Sequence, residues 1–218
     1  QQIQDEQKSL QAFTERKEFI EKTITEQGKM TEALQAKING ATTIVELEDI
    51  YLPYKVKRKT KAVVARENGL EPLALILLAQ GNEDPETEAA KYFNEKITTI
   101  EEALQGARDI IAENVNEQAD IRAKLRKLFE ETALLQSKVL ADKETEAIKY
   151  KDYFDFSEPI HKVPSHRILA ILRGFLEGFL RISIAPSEEE AIEMIEDFYL
   201  KGQSPAAVHI KKAIKDAY

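Results

Sequence analysis

The chain contains no cysteine. That excludes disulfide staples and thiolate metal sites, and it fits a reducing, cytoplasmic compartment. Glycine and proline are also scarce, at 8 and 7 among 218 residues. So little punctuation disfavours a many-turned sandwich or barrel and favours long helices. No apolar run approaches the ~20 residues of a membrane span, and the longest, Leu73 to Ala79, has the size of a core-helix segment. The three histidines, His161, His166 and His209, lack metal-ligand spacing, and Pro164 breaks any helix face that His161 and His166 would share. There is no Gly-rich phosphate loop, nucleophile elbow, HExxH pair or calcium loop. These absences lead to the expectation of a non-enzyme, with no metal, no cofactor, no small-molecule substrate and no membrane association. The opening QQIQDEQKSLQ does not resemble a signal peptide and has no initiator Met, and the sequence stops inside an apparent helix at Lys215 to Tyr218. The expectation is an excised fragment of something longer.

Charge is what the chain has in quantity. Charged residues make up 32% of it, hydrophobic residues 43%, and the formal net charge is −8. The length suits one large domain or two small ones. Ile3, Leu10, Phe13, Ile20 and Ile24 predict a first helix stopped by Gly28. Thr31 is placed to cap a helix ending near Gly40, and a helix from Ile44 to Tyr51 runs into Pro53. Ala62 to Asn68 reads as a short helix closed by Gly69, and Pro72 opens an apolar helix ending near Gly81. Asn82 to Pro85 is a turn, and residues 82–99 hold a candidate sub-boundary. Thr99 and Glu102 have capping-box spacing ahead of Ala103, Leu104, Ala107, Ile110 and Ile111. Ile121, Leu125, Leu128 and Phe129 continue the helical pattern. Tyr150 to Ile160 reads as irregular, and a helix from Ser165 is expected to stop at Gly174. Phe179 to Ile184 alternates and is the one convincing strand. Ser187 and Glu190 suggest a second capping box, and Pro205 starts a last helix. The expected fold class is mainly α: a multi-helix array with helix-turn-helix-like elements and at most one or two short strands.

One segment departs from the acidic background. Lys55, Lys57, Arg58, Lys59, Lys61 and Arg66 crowd one loop and the helix after it, and Lys55 to Lys61 holds no acidic residue. Local positive charge beside Tyr51 and Tyr54 suits phosphate neutralisation with base stacking. The bland reading is a solvated loop whose lysines balance nearby glutamates, with Tyr51, Leu52 and Tyr54 wedged into the helical core. Both readings stand at this point. A second candidate surface is formed by Arg167, Arg173 and Arg181 within Ser165 to Ile184, although Arg173 also suits the last turn of a helix as a cap.

Four segments resemble one family in the right order. LEDIYLPYKVKRKTKAVVARENGLEPL at Leu47 to Leu73, ALQGARDIIAE at Ala103 to Glu113, YKDYFDFSEPIHKVPSHRILAILRG at Tyr150 to Gly174, and EGFLRISI at Glu177 to Ile184 resemble the Tex family of bacterial transcription accessory proteins. The likeness is weakest at the first residues and between Glu117 and Lys149. It implies a modular parent with a helical N-terminal region of helix-turn-helix character. A resolvase-like domain, helix-hairpin-helix elements and a C-terminal oligonucleotide-binding barrel would follow. Such proteins are similar to the core of a eukaryotic elongation and histone-chaperone factor and are associated with nucleic acid in transcription. This chain resembles the helical N-terminal region, 1–218 as one region, with the later domains expected to be absent from it.

The resulting expectation is a non-catalytic scaffold with an auxiliary nucleic-acid surface for RNA or DNA phosphates. Lys55, Lys57, Arg58, Lys59, Lys61 and Arg66 are its main contacts, and Arg167, Arg173 and Arg181 a second set. The alternative is a protein-interaction scaffold whose basic loop docks other domains or the transcription machinery.

Overall fold

The computed structural model describes residues 2–56 and 59–218, with side chains from residue 6 onward. Lys57 and Arg58 therefore lie outside the described residues. The chain divides into two compact units, Gln1–Ala123 with Phe198–Tyr218, and Lys124–Asp197. Residues 82–99 lie inside the first unit, because Pro85 and Ala89 are buried there and their helix packs on a neighbour of the same unit.

The first unit is helical. Its elements are α1 (Gln2–Glu26), α2 (Glu32–Gly40), α3 (Ile44–Tyr51), α4 (Lys61–Glu67), α5 (Glu71–Ala79), α6 (Pro85–Ala89) and α7 (Ile100–Glu117). The first turns of α8 (Ala119–Thr132) and the final α11 (Ala207–Ala217) complete it. Threonines set the starts of four helices. Thr31, Thr43, Thr60 and Thr99 all have extended backbone, and each accepts a backbone N–H from the first turn. At Thr43 and Thr99 the third helical residue, Glu46 or Glu102, reaches back to the cap to complete the box.

Two packing centres follow from these starts. Ile20, Ile24, Leu34, Ile38, Leu47 and Tyr51 bury the meeting faces of α1, α2 and α3. The other centre is α7, against which α4, α5, α6 and α11 pack. Close approach there depends on Gly106, since a Cβ at that position would stand 2.3 Å from Leu70 Cδ1 and 3.3 Å from Ala65 Cβ. The buried positions Ala62, Ala65, Leu70, Leu73 and Leu77 fall on the neighbouring helices and the turn between them, so the two most distinctive motifs are the two sides of one helix contact.

The second unit holds β1 (Leu134–Val139), β2 (Asp155–Pro159), α9 (Ser165–Leu176) and β3 (Leu180–Ala185), with most of α10 (Glu188–Tyr199). Its sheet is antiparallel throughout, in the order β2-β1-β3. The chain is mainly α, as its composition predicts, but the sheet has three strands, one beyond the largest number expected. β1 follows α8 with almost no break, and β2 lies in the aromatic stretch read as irregular. Ile168 and Ile171 of α9 pack with Leu135, Phe156 and Ile182 to close one sheet face. Gly174 is not a stop. It lies buried within α9, where a Cβ would come 2.6 Å from Leu180 Cδ1, and Gly178 makes the positive-φ turn instead.

Candidate nucleic-acid interface

The basic loop grows out of the α1–α3 core. After α3, Leu52–Tyr54 forms a single tight turn with Pro53 as its second residue. Tyr51 is 7% exposed and meets Phe19 edge-on at 6.1 Å, while Tyr54 packs on the same core. Lys55 Nζ and Arg16 sit over the Tyr51 ring, each 5.5 Å from its centroid. The tyrosines therefore anchor the loop, and Tyr51 offers no free face on which a base could stack.

Two cations of the segment, Lys55 and Arg66, are braced by carboxylates that the local sequence does not reveal. Lys55 Nζ donates to Glu48 Oε2 at 2.5 Å, and Arg16 Nε donates to Glu48 Oε1 at 2.5 Å. Burial pushes the Glu48 carboxyl upward, but the hydrogen bonds and charges of Arg16 and Lys55 outweigh it and hold it below the usual carboxylate range. Thr60 caps α4 with its oxygen and donates its own proton to Glu113 Oε1 at 2.9 Å. Arg66 binds the other oxygen of Glu113, with Asn114 Oδ1 at 3.3 Å and Glu71 at 3.5 Å. The segment is thus tied to α7 at both ends of α4.

Among the described residues of the segment, Lys59 and Lys61 stay in solvent. The Lys59 side chain is 71% exposed and, among the described residues, pairs with the exposed Glu67 at 3.5 Å. Lys61 is exposed and forms no ion pair among the described residues. Beside them opens a groove of about 890 Å³, lined by Thr60, Lys61, Asp109, Glu113, Arg122 and Asp216 among others. Its mixed lining makes it a poor channel for a polyanion; among the described residues of the segment, Lys59 and Lys61 are the exposed cations.

The second set of arginines is not gathered into one patch. Arg167 donates to Glu158 of β2 at 3.0 Å. Glu158 stands in register with Leu135 and so projects on the sheet face that α9 covers, whereas Arg181 is exposed on the opposite face. Arg173 is exposed on α9. The two-residue alternation of a strand and the 3.6-residue turn of a helix separate these side chains despite their closeness in sequence. A cation absent from the sequence reading stands beside Arg181 instead: Lys138 of β1 is its cross-strand partner. Polar–apolar alternation in Leu134–Val139 is the signal that would have found it.

The buried charges of the first unit include Asp49, 4% exposed, which accepts from Arg122 Nε at 2.6 Å, and Arg108. Arg108 is 3% exposed and donates to Glu101, to Gln105 Oε1 at 2.6 Å and to His209 Nδ1 at 3.2 Å. Since a guanidinium only donates, Nδ1 of His209 accepts and the ring is neutral. Burial, then the Arg108 and Lys212 charges, hold the His209 pKa below its ordinary value against the opposing pull of Glu101 and Glu86. This cluster is a packing device between α7 and α11.

A mainly helical chain with a cation-bearing loop locked to its central helix defines a structural region with a small charged surface. Residues 80–217 match the family model described as Tex central region-like, and the chain belongs to the Tex family. It is 46% identical over 175 residues to the transcriptional accessory protein Tex of Neisseria gonorrhoeae, covering 80% of this chain and 23% of that protein. It is 48% identical over 167 residues to protein tex of Bordetella pertussis, covering 76% of this chain and 21% of that protein. A human protein named S1 RNA-binding domain-containing protein 1 is 28% identical over 179 residues, covering 79% of this chain and 18% of its own length. The chain spans about a fifth to a quarter of the length of these relatives. Among the described residues no helix is long and apolar enough to cross a membrane.

Proposed function

We propose that this chain is a non-catalytic scaffold of a cytoplasmic transcription accessory protein and adds an auxiliary contact for RNA or DNA phosphates at Lys59 and Lys61. One observation carries the reading. Ion pairs through Glu48 and Glu113 hold both ends of the basic segment against the helical core, yet leave these two ammonium groups outward. A braced loop presents its charges at low entropic cost, which favours phosphate binding over a floppy tail. The names of the relatives, a transcriptional accessory protein and an RNA-binding-domain protein, agree with it. The short α4 and α5, joined at Gly69, are the pair we assign as helix-turn-helix-like.

Salt titration of binding to single-stranded and duplex probes tests the reading. Each phosphate neutralised adds roughly 0.7 to 0.9 to the slope of log affinity against log salt. Lys59→Glu with Lys61→Glu is expected to weaken binding and lower that slope by about 1–2. Unchanged affinity and slope would remove the loop from the interface. A second reading, docking of another protein or domain, is favoured by Val56, which is 96% exposed in the same loop. Protection of Val56 and its neighbours from proteases, seen with protein partners and not with nucleic acid, would select it.

A further inference from the structure

We propose that the open face of the sheet in the second unit is a phosphate-binding site, with Lys138 and Arg181 as its two cationic jaws. The strand register places these residues directly across from one another on β1 and β3. Both are exposed, and neither has an ion-pair partner among the described residues. Like charges opposed across an antiparallel ladder destabilise it, so an anion held between them removes a repulsion as well as gaining two charge-assisted bonds.

The surroundings are built for an oxyanion. Gln136, Ser137, Lys138, Arg181, Ile182 and Ser183 line a depression of about 200 Å³, several times the ~30 Å³ share of a water molecule. Next to the two cations, the Ser183 hydroxyl donates to Gln136 Oε1 at 3.3 Å, and the Gln136 amide donates to Ser157 Oγ at 3.5 Å. This row of neutral donors and acceptors can turn toward a bound oxygen without creating a buried unpaired group. The third strand brings Asp155 into register with Lys138 from the far side, yet the two form no ion pair. That carboxylate tempers the positive field and confines the anion to the Arg181 side. The opposite sheet face is closed by α9, which fixes the strands that carry the jaws.

The ligand class is a phosphate group, either a free phosphate or one phosphodiester of a nucleic-acid strand. The site is separate from the loop of the first unit, so either proposal can fail alone. Amide NMR of the whole chain, titrated with inorganic phosphate against chloride at matched ionic strength, is the direct test. Saturable shifts are expected at Gln136, Lys138, Arg181 and Ser183. Because hydrogen bonds to charged groups contribute about 1.5–3 kcal/mol, Arg181→Gln or Lys138→Gln should weaken the response about tenfold or more. Arg181→Glu places a carboxylate opposite Lys138; it should abolish the response while raising thermal stability, which shows that the fold survives. A titration with decathymidylate separates the two sources. If it moves the same amides in competition with phosphate, the strand backbone is the ligand; if only inorganic phosphate acts, the ligand is a small phosphate. Shifts that never saturate, or that persist in Arg181→Glu, overturn the site.

Discussion

At the scale of single residues, His209 carries a pH signature. Its folded pKa lies below the ordinary value of 6.5, so the unfolded chain takes up the proton first as pH falls. Stability from the neutral ring is complete above that value and declines as pH drops below it. Thermal melts from pH 8 to 5.5 should show a falling midpoint, and His209→Gln should flatten that dependence. The same reasoning about partners applies to Glu113, which accepts from both Thr60 and Arg66. Glu113→Ala leaves the half-buried Arg66 with weaker partners and is expected to cost about 1–2 kcal/mol, read from denaturant melts. Proteolysis after Lys59 or Lys61 should quicken in that variant, because both are beside the lost tether. Lysines and arginines announce themselves in a sequence, but their neutralising carboxylates do not. Glu113 is 47 residues away from Arg66, and only the packing of α4 on α7 brings them together. Among the described residues, Lys55 and Arg66 are therefore held by carboxylates while Lys59 and Lys61 stay exposed.

At the scale of elements, two kinds of position are separable by mutation. Gly106 permits contact between helices, and a methyl group there meets Leu70 and Ala65. Gly106→Ala should destabilise by about 1–3 kcal/mol through overpacking, measurable by urea unfolding. Thr99→Ala removes a cap at an exposed helix start and should cost about 1 kcal/mol, with the α7 packing intact. Most helices were legible because threonine caps, Pro72 and Gly69 punctuate an otherwise periodic pattern. β1 was not, because Leu134–Val139 is short and abuts α8; its strand state comes from pairing on both edges with distant segments. Gly174 was misread for a related reason. A glycine needed for close approach looks, in one dimension, like a glycine needed for a turn.

At the scale of the whole chain, the two units differ in how much they bury. Among the described residues the whole second unit buries nine apolar side chains, whereas α7 alone contributes eight buried residues to the first. Native-state amide exchange should therefore be faster at Leu135 and Ile182 than at Leu104 and Ile111, since opening free energy follows local burial. Equal protection at both places would contradict that ranking. The first unit also has a peculiarity of order along the chain. α11 buries Ile210, Ala213 and Ile214 and packs on α7, yet it is separated from α7 by the whole of Lys124–Asp197. During synthesis, which runs at ≈ 5–20 residues per second, the inserted unit is complete before the outer one has received its closing helix. For those seconds one side of α7 stays uncovered on the ribosome, so the unit that begins first is the one that finishes last.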